Sequence, residues 1–142
     1  MKIINASNHR NALIQLLETE KLPSGDLPDD LSDFIAIIVN DELIGAAGIE
    51  KYGNYALLRS VIVAAHYRSR GIAGELIDNI ESLARQNHLQ ELFLLTETAQ
   101  NYFSKKGFRI IDRADVPEAV KQSSEFSHVC PVSAIVMKKS LF

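Results

Sequence analysis

The chain has a single cysteine, Cys130, among its 142 residues. An internal disulfide framework is thereby excluded, and a lone thiol fits a reducing cytoplasm. The sequence also lacks any apolar run approaching the roughly 18 residues that a membrane span needs. Its first residues, MKIINASNHR, carry no apolar core and no small-residue cleavage site, so a cytoplasmic location away from membranes is expected. Positive charge is in deficit: 15 Lys and Arg stand against 18 Asp and Glu, for a formal charge of -3. A binder of the phosphodiester backbone carries the opposite bias, and no basic-aromatic stripe is seen, so a nucleic-acid partner is not expected. Repeats, low-complexity tracts and linkers are absent too, which leaves a single domain over residues 1–142. With 46% hydrophobic and 23% charged residues, the composition suffices for one core.

Hydropathy patterning divides the chain into short elements. Residues 2–6 read as a first strand, with Ser7 or Asn8 as the cap of a helix whose apolar face is Ala12, Leu13, Leu16 and Leu17. Residues 23–33, with Gly25 and Pro28, form a turn-rich loop. Residues 34–39 and 43–49 make a hairpin around Asn40-Asp41-Glu42. After Gly53-Asn54, residues 56–65 are apolar on both faces, as in a central strand. From Gly71 the period changes to that of a helix through Ile72, Leu76, Ile77, Ile80, Leu83 and Ala84. Residues 92–95 are a buried strand, 99–106 a short helix stopped by Gly107, and 108–112 and 133–137 the last strands, with a helical piece near 117–123 between them. Hairpins first and a strand–helix–strand crossover later imply a mixed α/β sheet.

The segment most telling for function is the strand-to-helix turn. Val61, Ile62 and Val63 end a buried strand, and Arg68, Ser69, Arg70, Gly71, Ile72, Ala73 and Gly74 follow in a basic, glycine-containing turn that opens a helix. Amides at a helix N-terminus are unpaired and lie at the positive end of the dipole, so they accept phosphate. A solvated arginine pair at an ordinary turn is the competing reading. A P-loop is excluded because no Gly-Lys-Ser/Thr ends the turn, and the dinucleotide fingerprint lacks its first glycine.

Arg68-Ser69-Arg70-Gly71-Ile72-Ala73 resembles the Arg/Gln-x-x-Gly-x-Gly/Ala signature of the GCN5-related N-acetyltransferase (GNAT) superfamily. Ala99-x-x-Tyr102-Phe103-x-x-x-Gly107-Phe108 resembles that family's later helix-to-strand element. The resemblance implies a GNAT fold of the α/β (α+β) class, with a mixed, mostly antiparallel central sheet of about six to seven strands flanked by helices. It further implies that the fourth and fifth strands splay apart. Acetyl-CoA is then the co-substrate, held by the main chain of Val61, Ile62 and Val63 at its pantetheine arm and by the amides of 69–74 at its pyrophosphate. The Leu94-Leu95-Thr96 and 103–108 stretches are similar to bacterial N-acetylglutamate synthases. The set Leu58-Arg59-Ser60, Leu95-Thr96, Asp112-Arg113, Phe126 and Cys130-Pro131 looks closer to short acetyltransferases of arsenic-resistance operons.

The implied reaction is direct attack of a small-molecule amine, an amino acid or an amino-acid-like toxic compound being the candidates, on the thioester in a ternary complex. It requires a neutral amine, a stabilised oxyanion and a protonated leaving thiolate. A strand amide near Val61 or Val63 serves the oxyanion. Many members of the family protonate the thiolate with a tyrosine where this chain has Phe103, and Tyr102 is turned by about 100° along the helix. Ser133, opening the last strand, is the candidate acid, with an ordinary strand-edge serine as the alternative. Glu50 and Glu97, at strand ends, are candidate bases acting through a water, and His66 reads as a surface loop residue. Arg59, in an apolar strand, suggests either a clamp for an acceptor carboxylate or an internal salt bridge to Asp112 or Glu50. Lys105 and Lys106 are candidates for the 3′-phosphate, or simply complement a helix dipole. Phe126, His128 and Cys130 lie where the acceptor wall is expected. One His and one Cys fall short of a zinc site, so no metal is expected. A homodimer is an allowed assembly. A non-catalytic acyl-CoA sensor or interaction module, or a protein N-acetyltransferase, is the alternative function.

Overall fold

A computed structural model, which describes residues 2–126 and 133–142, has the element order expected from the pattern. The strands are β1 (Lys2–Asn5), β2 (Phe34–Val39), β3 (Glu42–Tyr52), β4 (Tyr55–Val63), β5 (Glu91–Thr96), β6 (Arg109–Ile111) and β7 (Ile135–Ser140). The helices are α1 (Arg10–Thr19), α2 (Ile72–Gln86), α3 (Gln100–Lys105) and α4 (Glu118–Lys121). Hydrogen bonding orders the seven-stranded sheet as β1-β2-β3-β4-β5-β7-β6. His128 and Cys130 lie outside the described residues.

Contacts divide the chain into two compact units, one of residues 1–50 and 59–83 and the other of 51–58 and 84–142. In the first unit β1, β2 and β3 pair antiparallel. Asn40 and Asp41 both have positive φ (50° and 64°), the backbone of a two-residue hairpin loop between Val39 and Glu42. Helix α1 buries Leu13 and Leu17, four residues apart, with Ala6, Leu27, Leu31, Phe34 and Ile62. Each such Leu or Phe, fully removed from water, contributes about 1.5–3 kcal/mol before chain entropy is counted. Gly48 is required here. It pairs with Phe34, whose ring lies where a Cβ would stand, at 2.3 Å.

The cap of α1 differs from expectation. His9 holds the N-cap position without a side-chain bond, while Ser7 donates its hydroxyl and its amide to Asn5 Oδ1. The serine is used in a local turn after β1, so the helix starts later.

In the second unit β4 begins parallel to β5, through Tyr55, Ala56 and Leu57 against Glu91, Leu92 and Phe93. Strand β7 is antiparallel to both β5 and β6. Leu57, Phe93, Val116, Val120 and Val136 form a core, with Phe126, Leu95 and Ile111 packed against it. The last strand starts two residues later than expected, at Ile135 rather than Ser133. Its first partner, Thr96, is the end of β5, so Ser133 has no residue of that strand to pair with. Among the described residues no helix is long and apolar enough to cross a membrane.

Candidate functional site

The turn singled out in the sequence lies in the first unit, and its backbone is unusual over a short stretch. Ser60 sits inside β4 with φ 57°, a left-handed residue within an extended strand. Val61 is half-buried, and Ile62 and Val63 are buried. Ala64 then donates its amide to the Ile44 carbonyl (2.7 Å), and a 3-10 turn, Ala65–Tyr67, carries the exposed His66.

Ser69 (φ 63°) and Gly71 (φ 79°) adopt left-handed conformations on either side of Arg70. Alternating handedness turns successive amides toward one concavity, an arrangement that binds anions. Helix α2 starts at Ile72, and its first amides have no carbonyl one turn earlier. A Cβ on Gly71 would meet no atom within 4 Å, so the space on that side is open. Of the two arginines, Arg68 donates Nε to the Val63 carbonyl (3.0 Å) and pairs with Glu20. It braces the turn against the strand end. Arg70 is exposed, with its guanidinium 5.4 Å from the Tyr67 ring centroid. Ala73 is half-buried and Gly74 buried.

The second feature of this unit is Arg59. Its side chain is 1% exposed and is met by two carboxylates. Nη1 donates to Glu50 Oε1 (2.7 Å) and Asp26 Oδ2 (2.9 Å), and Nη2 donates to Asp26 Oδ1 (2.9 Å). Nε donates to Ser60 Oγ (3.2 Å). Glu50 is one of the two partners the sequence offered, the other being Asp112. Asp26 carries no signal in the sequence, because a loop residue 33 positions from Arg59 belongs to no periodic pattern. Buried arginine among apolar neighbours was itself the clue that such a partner exists.

In the second unit Ser133 is an exposed turn residue ahead of β7, and Glu97 is exposed just after β5. Thr96 Oγ1 accepts the Ala99 amide (2.9 Å) and closes the turn into α3. Phe103 is buried, edge-to-face with Phe108 (5.6 Å between centroids), while Tyr102 is exposed. Lys105 is exposed, and Lys106 lies with its ammonium 5.9 Å from the Tyr102 ring centroid. Arg113 was overlooked as a structural element. It donates Nη2 to the Ala134 carbonyl (3.3 Å) and lies 5.5 Å from the Phe126 ring centroid. Arg113, Ala114, Lys121 and Phe126 line a shallow cleft of about 360 Å³.

A family model described as the acetyltransferase (GNAT) family matches residues 8–108. An amino-acid acetyltransferase of Mannheimia succiniciproducens is 29% identical over 91 residues, 63% of this chain and 21% of that protein. The chain thus spans a small part of the length of the curated relative it matches. Among solved structures, N-acetylglutamate synthase from Neisseria gonorrhoeae, complexed with coenzyme A and N-acetyl-glutamate, superposes with a TM-score of 0.81 at 18% identity, over 99% of this chain and 35% of that one. Rv2747 from Mycobacterium tuberculosis, also solved with CoA, superposes with a TM-score of 0.80 at 20% identity over 100% of both chains. Those structural likenesses establish the fold.

Proposed function

The chain belongs to the acetyltransferase (GNAT) family, and from that premise we propose that it moves the acetyl group of acetyl-CoA onto the amine of a small molecule of amino-acid type. The observation that carries this reading is the backbone of the first unit: a left-handed residue near the strand end, two more in the turn and an open helix N-terminus in succession. Such a succession suits a long, anionic, amide-containing cofactor. The amides of 69–74 accept the pyrophosphate, and the main chain of Val61, Ile62 and Val63 bonds the pantetheine arm. Arg68, tied to Glu20 and Val63, keeps the turn in register, and Arg70 supplies exposed positive charge. The amino-acid acetyltransferases among the curated relatives support an amino-acid acceptor.

Attack of a neutral amine on the thioester carbonyl places negative charge on the oxygen, and an amide near Val61 or Val63 stabilises it. Collapse expels the coenzyme A thiolate, which takes a proton. Phe103 has no proton to give, and we assign that step to the Ser133 hydroxyl, which passes its proton to the thiolate as it takes one from a water. The amine loses its proton through a water to Glu50 or Glu97. Glu50 has its Oε1 on Arg59, which orients it. Glu97 is exposed and outside that ion cluster. Arg59 has the chemistry to hold an acceptor carboxylate.

The test is an acceptor screen with purified protein and acetyl-CoA, following free thiol and the acetylated product by mass. Turnover with α-amino acids or related amines is the expected result. Tight coenzyme A binding with no turnover on any amine would instead identify an acyl-CoA sensor, a reading that Phe103 favours.

A further inference from the structure

We propose that Asp26 is an internal competitor for the acceptor's carboxylate at Arg59, and that it sets which amines are taken. The proposal rests on Arg59 acting as the acceptor clamp, as above. A guanidinium offers one edge, the pair Nη1 and Nη2, that matches a carboxylate in a two-point fork. Asp26 occupies that edge, with Oδ2 on Nη1 and Oδ1 on Nη2, both at 2.9 Å. Glu50 approaches Nη1 separately, and Nε is turned to Ser60. Asp26 thus stands where a bound carboxylic acid would stand.

Charge makes the competition strict. One cation already faces two carboxylates. A third carboxylate would be repelled, whereas a free acceptor that displaces Asp26 leaves the charge of the cluster unchanged. An amine without a carboxylate makes no claim on the fork and leaves Asp26 seated.

The loop is built to release this side chain without unfolding. Asp26 lies outside the strands and is 11% exposed, against 1% for Arg59, so the fork is reached from its side. Gly25 precedes it, exposed, and the Asp26 carbonyl also accepts from Arg59 Nη1 (3.4 Å), so the side chain rather than the peptide is the part that turns. Behind it, Leu27 is buried, and Arg10 donates to the carbonyls of Pro28 (2.6 Å) and Leu27 (3.3 Å). Rotation of the Asp26 side chain opens the fork while the rest of the loop stays anchored.

The experiment uses the whole chain with saturating acetyl-CoA. It compares α-amino acids with their decarboxylated amines: L-leucine with isoamylamine, L-phenylalanine with phenethylamine, L-arginine with agmatine. In Asp26→Asn the KM of each amino acid is expected to fall about tenfold, as one charge-assisted competitor is removed. The KM values of the amines and of acetyl-CoA are expected to stay within about twofold. An equal change for both members of a pair, or a rise for the amino acids, overturns the proposal. A purely structural role for Asp26 would lower activity with every acceptor. Hydrogen exchange on the unmutated protein gives a second reading that needs no variant and no turnover. Saturating amino acid is expected to speed exchange of the amides at 25–27, and the matching amine is not. Unchanged exchange with both overturns the displacement. If no acceptor turns over but exchange responds to the amino acid alone, the acetyl-transfer reading has failed and Asp26 still competes at Arg59.

Discussion

The two compact units do their work by different means. In residues 1–50 and 59–83 the candidate chemistry is mainly main-chain: left-handed backbone at Ser60, Ser69 and Gly71, then the first amides of α2. Its candidate charges are braced, Arg68 by Glu20 and Arg59 by Asp26 and Glu50. In residues 51–58 and 84–142 the candidates are exposed side chains on turns, Glu97 and Ser133, beside a core of Leu57, Phe93 and Val136. A cofactor common to a whole family is matched by backbone, which every sequence possesses. An acceptor particular to one member is matched by side chains on loops, which are free to differ.

The sharpest break of this contrast is Arg59→Met. It leaves Asp26 and Glu50 as partly buried carboxylates without their shared cation. A loss of about 3–5 kcal/mol is expected in urea unfolding, because an orphaned buried charge costs more than a pair contributes. A much smaller loss would mean that the cluster is solvated.

Ser133→Ala is expected to lower kcat about a hundredfold, the smaller end for a general acid, with coenzyme A affinity unchanged. That split, measured by steady-state kinetics and calorimetric titration, would confine the second unit's contribution to chemistry. An unaltered kcat removes Ser133 from the mechanism.

Gly48→Ala tests packing in the first unit. The added methyl meets the Phe34 ring and is expected to cost about 1–3 kcal/mol of stability by chemical denaturation. The companion Phe34→Leu should recover part of it.

Gly71→Ala is the mildest in stability and the most diagnostic. Nothing crowds the new methyl, so the expected cost, about 1 kcal/mol, comes from left-handed backbone alone. Coenzyme A affinity should fall about tenfold as the turn relaxes and its amides lose aim, while the urea midpoint drops by no more than about 1 M. Unchanged affinity would break the claim that this backbone holds the cofactor.

Much of the fold was legible because it depends on local periodicity. Ile72, Leu76, Ile77 and Ile80 mark a helix wherever they are placed, and all are buried. Asn40-Asp41 marks a two-residue turn because both residues tolerate positive φ. The strand-to-helix turn was legible for the same reason, since Arg68-Ser69-Arg70-Gly71 ahead of an amphipathic helix is a local pattern. The errors lie where a partner outside the periodic pattern decides, whether two residues away or on another strand. Ser7 was taken by Asn5, moving the cap of α1, and the end of β5 at Thr96 set the start of β7 beyond Ser133.

By itself, then, the sequence determined the order of the elements and the turn that opens α2, which follow from interactions within a few residues. Tertiary structure decided the left-handed backbone at Ser60 and the occupancy of Arg59. Both depend on what the fold brings together, and Asp26 lies 33 residues from the arginine it grips. No period or propensity links residues so far apart; only closure of the loop onto β4 gives that aspartate its role.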